Sequence, residues 1–140
     1  MNNTLSANNS LNNDSYVLTA IVLVYNGERY LQECLNSLVN QTLDNLEILL
    51  INDASTDDSL SICKRYEKLY DNVRLIDKEK NEGLATSANL GISLAKGEYV
   101  ILVDNDDIIP NYVASRVDMI PHKKGVFPWA LLIRRAAEAS

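Results

Sequence analysis

Residues 17–25, VLTAIVLVY, form a nearly unbroken apolar and β-branched run. A strand with one wet face alternates polar and apolar side chains. A run without that alternation fits a strand covered on both faces, which is the habit of parallel sheets. Asn26-Gly27 breaks the run, and then Tyr30, Leu31, Cys34, Leu35, Leu38 and Val39 recur at helical spacing. Residues 46–51 (LEILLI) repeat the strand pattern and end in the polar loop Asn52-Asp53-Ala54-Ser55-Thr56-Asp57-Asp58. That loop offers helix N-caps, with Asp57 and Asp58 suited to the positive end of the next helix. A helix over 58–70 places Leu60, Cys63, Tyr66 and Leu69 or Tyr70 on one face. Residues 73–76 predict a weaker strand, 81–83 a turn, and 84–96 a small-residue-rich helix with Gly97 as its C-cap. Residues 98–103 (EYVILV) are a fourth strand, running straight into Asp104-Asn105-Asp106-Asp107.

The order β-α-β-α-β-α-β predicts an α/β fold: a Rossmann-like, mainly parallel sheet with flanking helices and right-handed crossovers. The predicted organisation is a disordered polar leader over 1–15, the α/β unit over 16–111, and an atypical tail over 112–140. Within the tail, 111–120 and 129–139 are candidate short helices without an assigned place on the sheet.

Composition narrows the function classes. The chain has 140 residues, 46% hydrophobic and 23% charged, the balance of a globular domain rather than a disordered one. Residues 16–111 carry eight basic and sixteen acidic residues, a net −8, which disfavours nucleic acid as a partner and suits a divalent cation. Cys34 and Cys63 fall on predicted helix faces and fit buried thiols in a reducing compartment. His122 is the single histidine, in a turn-like polar stretch, and is a poor candidate for a general base. Neither a dinucleotide-binding glycine pattern nor a P-loop occurs. There is no apolar signal segment in 1–15, and the apolar run 126–133 is too short to span a bilayer.

In open parallel sheets, ligands bind outside the carboxyl ends of the strands. That rule gathers Tyr25-Asn26, Asn52-Asp53 and Asp104-Asn105-Asp106-Asp107 onto one edge. Three carboxylates within four residues repel one another, and such an oxygen cluster suits Mg²⁺ or Mn²⁺. The same residues also fit a solvated acidic turn. Asp53 fits either a bond to loop amides or a contact to a base or sugar. Tyr25 fits either ring stacking or strand packing. Ser87 and Asn89 either face a ligand or pack closely, while Lys78 and Lys80 read as solvated charges.

Over residues 20–107 the chain resembles the nucleotide-sugar-binding half of family-two glycosyltransferases of the GT-A fold. Val24-Tyr25-Asn26-Gly27 followed by Glu28-Arg29-Tyr30-Leu31 resembles the opening strand and helix, and Asn40-Gln41-Thr42 the turn that closes it. Asn52-Asp53-Ala54-Ser55-Thr56-Asp57 resembles the second-strand loop. Asn81-Glu82-Gly83 through Asn89-Leu90-Gly91, then residues 95–99 (AKGEY), resemble the approach to the DxD motif, for which Asp104-Asn105-Asp106 stands. The departures are Leu23 in place of a usual Pro, Ala54 in place of a frequent Gly, and Ala88 in place of a frequent Arg.

The resemblance implies a sugar transfer with inversion from a nucleotide-diphosphate sugar, a UDP-sugar, to an acceptor hydroxyl. Tyr25, Asn26, Asp53, Asn89 and Asp104 would be donor-binding, with Tyr25 and Asp53 at the base. Asp106, with Asp104, would hold Mn²⁺ or Mg²⁺. The acceptor would be a glycan or a lipid-linked glycan. The protein would be cytoplasmic, with peripheral association at the inner face of the membrane. The family's general base lies well beyond DxD and is not recognisable in the 33 residues that follow Asp107, whose two carboxylates are Asp118 and Glu138. The alternative is a nucleotide-binding module, or a truncated remnant without transferase activity. A receiver-like signalling domain shares the β/α order but needs an acidic pair after strand one, where Tyr25-Asn26 stands.

Overall fold

The computed structural model describes residues 15–111 and a strand at 131–134. Its elements alternate as the sequence predicts: β1 (Leu18–Val24), α1 (Glu28–Val39), β2 (Leu46–Asn52), α2 (Ser59–Leu69), β3 (Val73–Asp77), α3 (Leu84–Leu94), β4 (Tyr99–Asp104) and β5 (Leu131–Arg134). The sheet order is β3-β2-β1-β4-β5. The first four strands are mutually parallel, with Ala20 opposite both Ile48 and Ile101. β5 pairs antiparallel to β4.

Every residue of β1 and β2 is buried, as the unbroken apolar runs require. Their alternating side chains supply two cores. Leu18, Ala20, Val22 and Val24 pack with Ile48 and Leu50 against Leu31, Cys34, Leu35 and Leu38 of α1 and Cys63 and Tyr66 of α2. Ile21, Leu23, Leu49, Ile51 and Val100 face α3. The result is a sheet sandwiched between two helices on one face and one helix on the other.

α3 lies close to the sheet because its sequence is small. A Cβ on Gly91 would sit 2.6 Å from Cγ2 of Ile21. Both cysteines are free and buried, and burial is the main cause that pushes each thiol up to about 12. They are core residues and do not act as nucleophiles at neutral pH.

Several sequence expectations are corrected. α3 ends at Leu94, and its cap residue is the extended Ala95, not Gly97. Gly97 is glycine for a different reason. Its missing side chain lets the backbone press against β1, where a Cβ would stand 2.5 Å from the Thr19 nitrogen. Tyr30 and Leu69, read as part of helical apolar faces, are 46% and 66% exposed. Tyr70 lies beyond the end of α2, its ring stacked on Tyr66. The helix expected over 129–139 is in part the strand β5, whose backbone completes the ladder along the free edge of β4. The leader and the helix expected over 111–120 lie outside the described residues, apart from Ser15 and Asn111.

A buried polar cluster closes the opposite end of the sheet from the loops treated next. The Thr19 hydroxyl donates to Glu47 Oε1 at 2.8 Å, and the Lys96 amide donates to the same oxygen at 2.9 Å. Arg74 pairs with Glu47 Oε2 at 3.2 Å and donates to the Leu94 carbonyl. These two polar residues in otherwise apolar strands tie the end of α3 and the turn into β4 to the sheet.

Candidate active site

Because β1, β2 and β4 run parallel, their carboxyl-end loops meet on one edge. The β1 loop is capped by the β2 loop. The successive amides of Asn26, Gly27 and Glu28 donate to Ser55 Oγ at 3.0 Å, Ser59 Oγ at 2.9 Å and Asp57 Oδ2 at 3.1 Å. Asp57 also accepts from the Ser59 amide at 2.9 Å, so one carboxylate caps the amino ends of α1 and α2 together. Burial opposes its ionisation, but the Ser59 and Glu28 donors prevail and hold it below the ordinary carboxylate range. Asp58, the other expected cap, makes no such bond. The Asn26 side chain accepts from the Thr56 amide at 2.7 Å.

Two residues in this pair of loops hold positive φ: Asn26 at 47° and Ala54 at 59°. Ala54 is where the sequence departs from a frequent Gly, and the backbone shows why Gly suits the position. A left-handed alanine costs about 1–2 kcal/mol, and the extra freedom of an unfolded Gly returns about 0.4–1 kcal/mol of that. Ala54→Gly is therefore expected to raise stability by up to about 1 kcal/mol, read as a higher urea midpoint at unchanged slope.

The β4 loop is pinned by its middle residue. Asn105 Oδ1 accepts from the Tyr25 amide at 2.9 Å, tying the Asp104–Asp106 segment to the end of β1. Gly27 makes the room: a Cβ there would lie 2.4 Å from Asn105 Cγ. Gly27→Ala is expected to eject the Asn105 side chain and displace Asp104 and Asp106 together. Its check is a stability lower by about 0.5–1.5 kcal/mol for the lost Tyr25–Asn105 bond, read as a lower urea midpoint, together with weaker ligand binding from the displaced carboxylates.

Asp107 has a structural task. Its Oδ2 accepts from the Asp104 amide at 3.1 Å, closing the turn. Burial first, then the like charges of Asp104 and Asp106, raise its pKa against the opposing Asp104 amide bond. That leaves Asp104 and Asp106, both exposed.

Leu23, Tyr25, Leu84, Asp104, Asn105 and Asp106 line one open cleft of about 330 Å³. Tyr25, past the end of β1 and 43% exposed, is not strand packing. Tyr25, Asp104 and Asp106 are thus brought together. Asn26, Asp53 and Asn89 are not in this lining. Asn89 is exposed on α3. The sequence reading passed over Leu84, which is 58% exposed, and Asn105, whose partner Gly27 is the one signal that points to it. Among the described residues, no three His, Cys, Asp or Glu side chains converge on one point. Two hard-oxygen carboxylates lining one cleft nevertheless fit a Mg²⁺ or Mn²⁺ ion that keeps its waters and shares phosphate oxygens, for which one or two protein ligands suffice.

Asp53 is outside the cleft lining and 2% exposed. Its Oδ1 accepts from Lys78 Nζ at 3.1 Å and the Glu82 amide at 2.9 Å, and its Oδ2 accepts from the Gly83 amide at 3.0 Å. Burial works against the charged form, yet these donors outweigh it and keep the carboxyl below its ordinary value. Lys78 is not a solvated charge: its side chain is 7% exposed and also pairs with Glu82 at 2.9 Å. Ser87 is buried and takes a Lys78 contact at 3.2 Å. Gly83 sits at φ 93°, ψ 166°, a region essentially reserved for glycine, and presents its amide to Asp53 there.

The glycosyl transferase family 2 profile matches residues 19–120. Glycosyltransferase GlyG of Streptococcus pneumoniae serotype 4 is 42% identical over 95 residues, covering 68% of this chain and 32% of that protein. The poly(ribitol-phosphate) beta-glucosyltransferase of Bacillus spizizenii is 44% identical over 95 residues, covering 66% of this chain and 15% of that protein. Among solved structures, S. aureus TarS 1–349 in complex with UDP superposes with TM-score 0.68 at 32% identity, covering 74% of this chain and 31% of that one. The mannosyltransferase PcManGT of Pyrobaculum calidifontis, in complex with GDP-Man and Mn²⁺, gives TM-score 0.68 at 27% identity, covering 77% of this chain and 34% of that one. The chain spans about a third or less of the length of these relatives. The match over most of the chain, on a parallel sheet whose loops build this cleft, establishes that the chain belongs to glycosyl transferase family 2.

Proposed function

We propose that residues 16–111 are the donor-binding part of a glycosyltransferase that moves a sugar from a UDP-sugar to an acceptor hydroxyl with inversion. The observation that carries this reading is the shared lining of one cleft by an aromatic ring, Tyr25, and two exposed carboxylates, Asp104 and Asp106. A ring platform facing an acidic pair suits a ligand that is a base at one end and a diphosphate at the other. The anionic diphosphate needs a counterion against this wall, and Asp104 and Asp106 would hold a Mn²⁺ or Mg²⁺ ion. Such an ion would supply positive charge to offset the negative charge of the nucleoside diphosphate leaving group.

The chain's own residues supply position. Tyr25 offers its face to the base, Asn105 fixes the carboxylates relative to that face, and Leu23 and Leu84 complete the apolar wall. On this reading Asp53, which keeps one open lone pair on Oδ2, would accept from the imide N–H of the base. The same reading assigns Asn89, exposed on α3, to the donor. The general base belongs to the acceptor-binding part, and the acceptor is a glycan or lipid-linked glycan met at the inner face of the membrane. Among the described residues no helix is long and apolar enough to cross a membrane.

UDP titrated calorimetrically with and without Mn²⁺ tests the proposal. Saturable binding that requires the metal is expected. Metal-independent binding, or none, contradicts it. Hydrolysis or transfer of the donor by the 140-residue chain distinguishes an active unit from a nucleotide-binding module.

A further inference from the structure

Asn40-Gln41-Thr42, just past the end of α1, is a stretch that the donor reading leaves without a task. It lies against the segment that follows the acidic turn. Gln41 Nε2 donates to the Pro110 carbonyl at 2.8 Å and the Ile109 carbonyl at 3.2 Å, and reaches back to the Ser37 carbonyl at 3.0 Å. The Thr42 amide donates to the Asn111 carbonyl at 3.0 Å. Ser37 Oγ accepts from the Ile109 amide at 3.0 Å while it donates to the Cys34 carbonyl at 2.6 Å. The Cys34 thiol donates to the Asp104 carbonyl at 3.5 Å. Residues 34, 37 and 41 are three and four apart, the spacing that puts side chains on one helix face. Residues 104–111 therefore run along one side of α1, held at Asp104, Ile109, Pro110 and Asn111. The acidic turn lies between the first hold and the second. Ile109 is 2% exposed and belongs to the core packed on α1, whereas Ile108 beside it is 62% exposed.

We propose that Gln41, assisted by Ser37, is a positioning residue that seats the Asp104–Asp106 turn in the cleft, by clasping the chain where it leaves that turn. The inference rests on the donor reading given above, in which the seated turn presents both carboxylates to a metal. Gln41 is outside the cleft lining and acts through the backbone it holds. On the β4 side the turn is tied by Asn105 to the Tyr25 amide, and on the far side Ser37 and Gln41 supply the side-chain bonds. A carboxamide suits the task because one nitrogen carries two N–H donors for consecutive carbonyls, and a methionine of the same length carries none. The effect is one of population. A ligand that needs the seated turn binds with an apparent affinity scaled by the fraction of molecules in which the turn is seated.

The test compares the full wild-type chain with Gln41→Met, Ser37→Ala and Tyr66→Phe. Tyr66→Phe is the matched control, because it removes a hydrogen bond to Asn36 of α1 that does not involve residues 104–111. Amide hydrogen exchange of the ligand-free chain reports the turn through its own bonds: the Tyr25 amide on Asn105, the Asp104 amide on Asp107 and the Asp107 amide on the Asp104 carbonyl. Calorimetric binding of UDP at saturating Mn²⁺ reports the use of the turn. Gln41→Met is expected to speed exchange at these three amides and to weaken UDP binding, each by about fivefold or more, the worth of the lost clasp bonds. Ser37→Ala is expected to change both in the same direction. Tyr66→Phe is expected to lower the urea midpoint by a similar amount and to leave both readouts near wild type. Unchanged exchange at the turn in Gln41→Met overturns the clasp. Faster exchange with unchanged UDP affinity, or an equal loss of affinity in Tyr66→Phe, overturns the positioning role and leaves Gln41 a structural residue. If Gln41→Met does not fold, Ser37→Ala carries the same two readouts, and wild-type values in either one overturn the role. If the wild type itself does not bind UDP with Mn²⁺, the donor reading falls and takes the positioning role with it, while the exchange rates still show separately whether the clasp holds the turn.

Discussion

Asp106→Ala is expected to weaken Mn²⁺-dependent UDP binding by at least about 100-fold, or about 2.7 kcal/mol, with the unfolding midpoint unchanged or slightly raised. The split between function and stability follows from how the loop is held. Asn105 ties it to the Tyr25 amide and Asp107 closes its turn on the Asp104 amide, so neither anchor involves the Asp106 carboxylate. Asp106 is exposed and adjoins two like charges, so its removal relieves repulsion in the free protein. On the proposed reading, it takes away half of the oxygen pair that would hold the metal against the diphosphate. Calorimetry with Mn²⁺, alongside urea unfolding of the same variant, checks both halves. Equal loss of affinity with and without Mn²⁺ would point to a cleft that does not use metal.

Asp53→Ala is expected to be the most destabilising single change among the site residues, by about 2–4 kcal/mol, at about 1–3 kcal/mol for each donor left unpaired. The substitution strands the amides of Glu82 and Gly83 and takes one of three acceptors from Lys78, which keeps Glu82 and Ser87. Against a total stability of about 5–15 kcal/mol for a domain of this size, that is a large fraction. The urea midpoint should fall accordingly, and the segment 78–83 should gain hydrogen exchange. The same contacts set a pH dependence. Asp53 has a folded pKa below its ordinary value, so its contribution is fully present above about pH 4, the unfolded value, and is lost as pH falls through the lower folded value. Asp57 is lowered for the same class of reason and adds to the loss over the same window. Acid unfolding of the wild type is therefore expected to be steeper than that of Asp53→Asn, which has no such proton to take up.

The fold was legible because its signal is repetitive. The runs at 17–25 and 46–51 have no polar alternation, and strands buried on both faces explain that fully. The helices were legible from their apolar spacing, although Tyr30 and Leu69 show that the stripe read from sequence is wider than the face that packs. The site was legible only as an edge. Parallel order brings Tyr25, Asp53 and Asp104–Asp107 to one end of the sheet, but spacing does not say which polar side chains are consumed in holding loops. Asn26, Asp53, Asp57, Asn105 and Asp107 all accept hydrogen bonds from protein backbone. Lys78 was misread because a lone lysine in a loop is usually solvated, and its burial depends on Asp53, 25 residues away. Strand β5 was missed because a short apolar run gives no periodicity to choose between helix and strand, and the open edge of β4 is a property of the sheet.

The claim that Asp104 and Asp106 form a metal seat facing Tyr25 has a direct spectroscopic test. In the isotope-labelled chain saturated with UDP in the presence of Mg²⁺, trace Mn²⁺ should broaden the backbone amide signals of Asn105 and Asp106 first, then those of Tyr25 and Leu84, and raising Mg²⁺ should reverse the effect. Broadening centred elsewhere, for instance on Asp57 and Asp58 at the start of α2, or spread without preference over the acidic surface, would contradict the assignment.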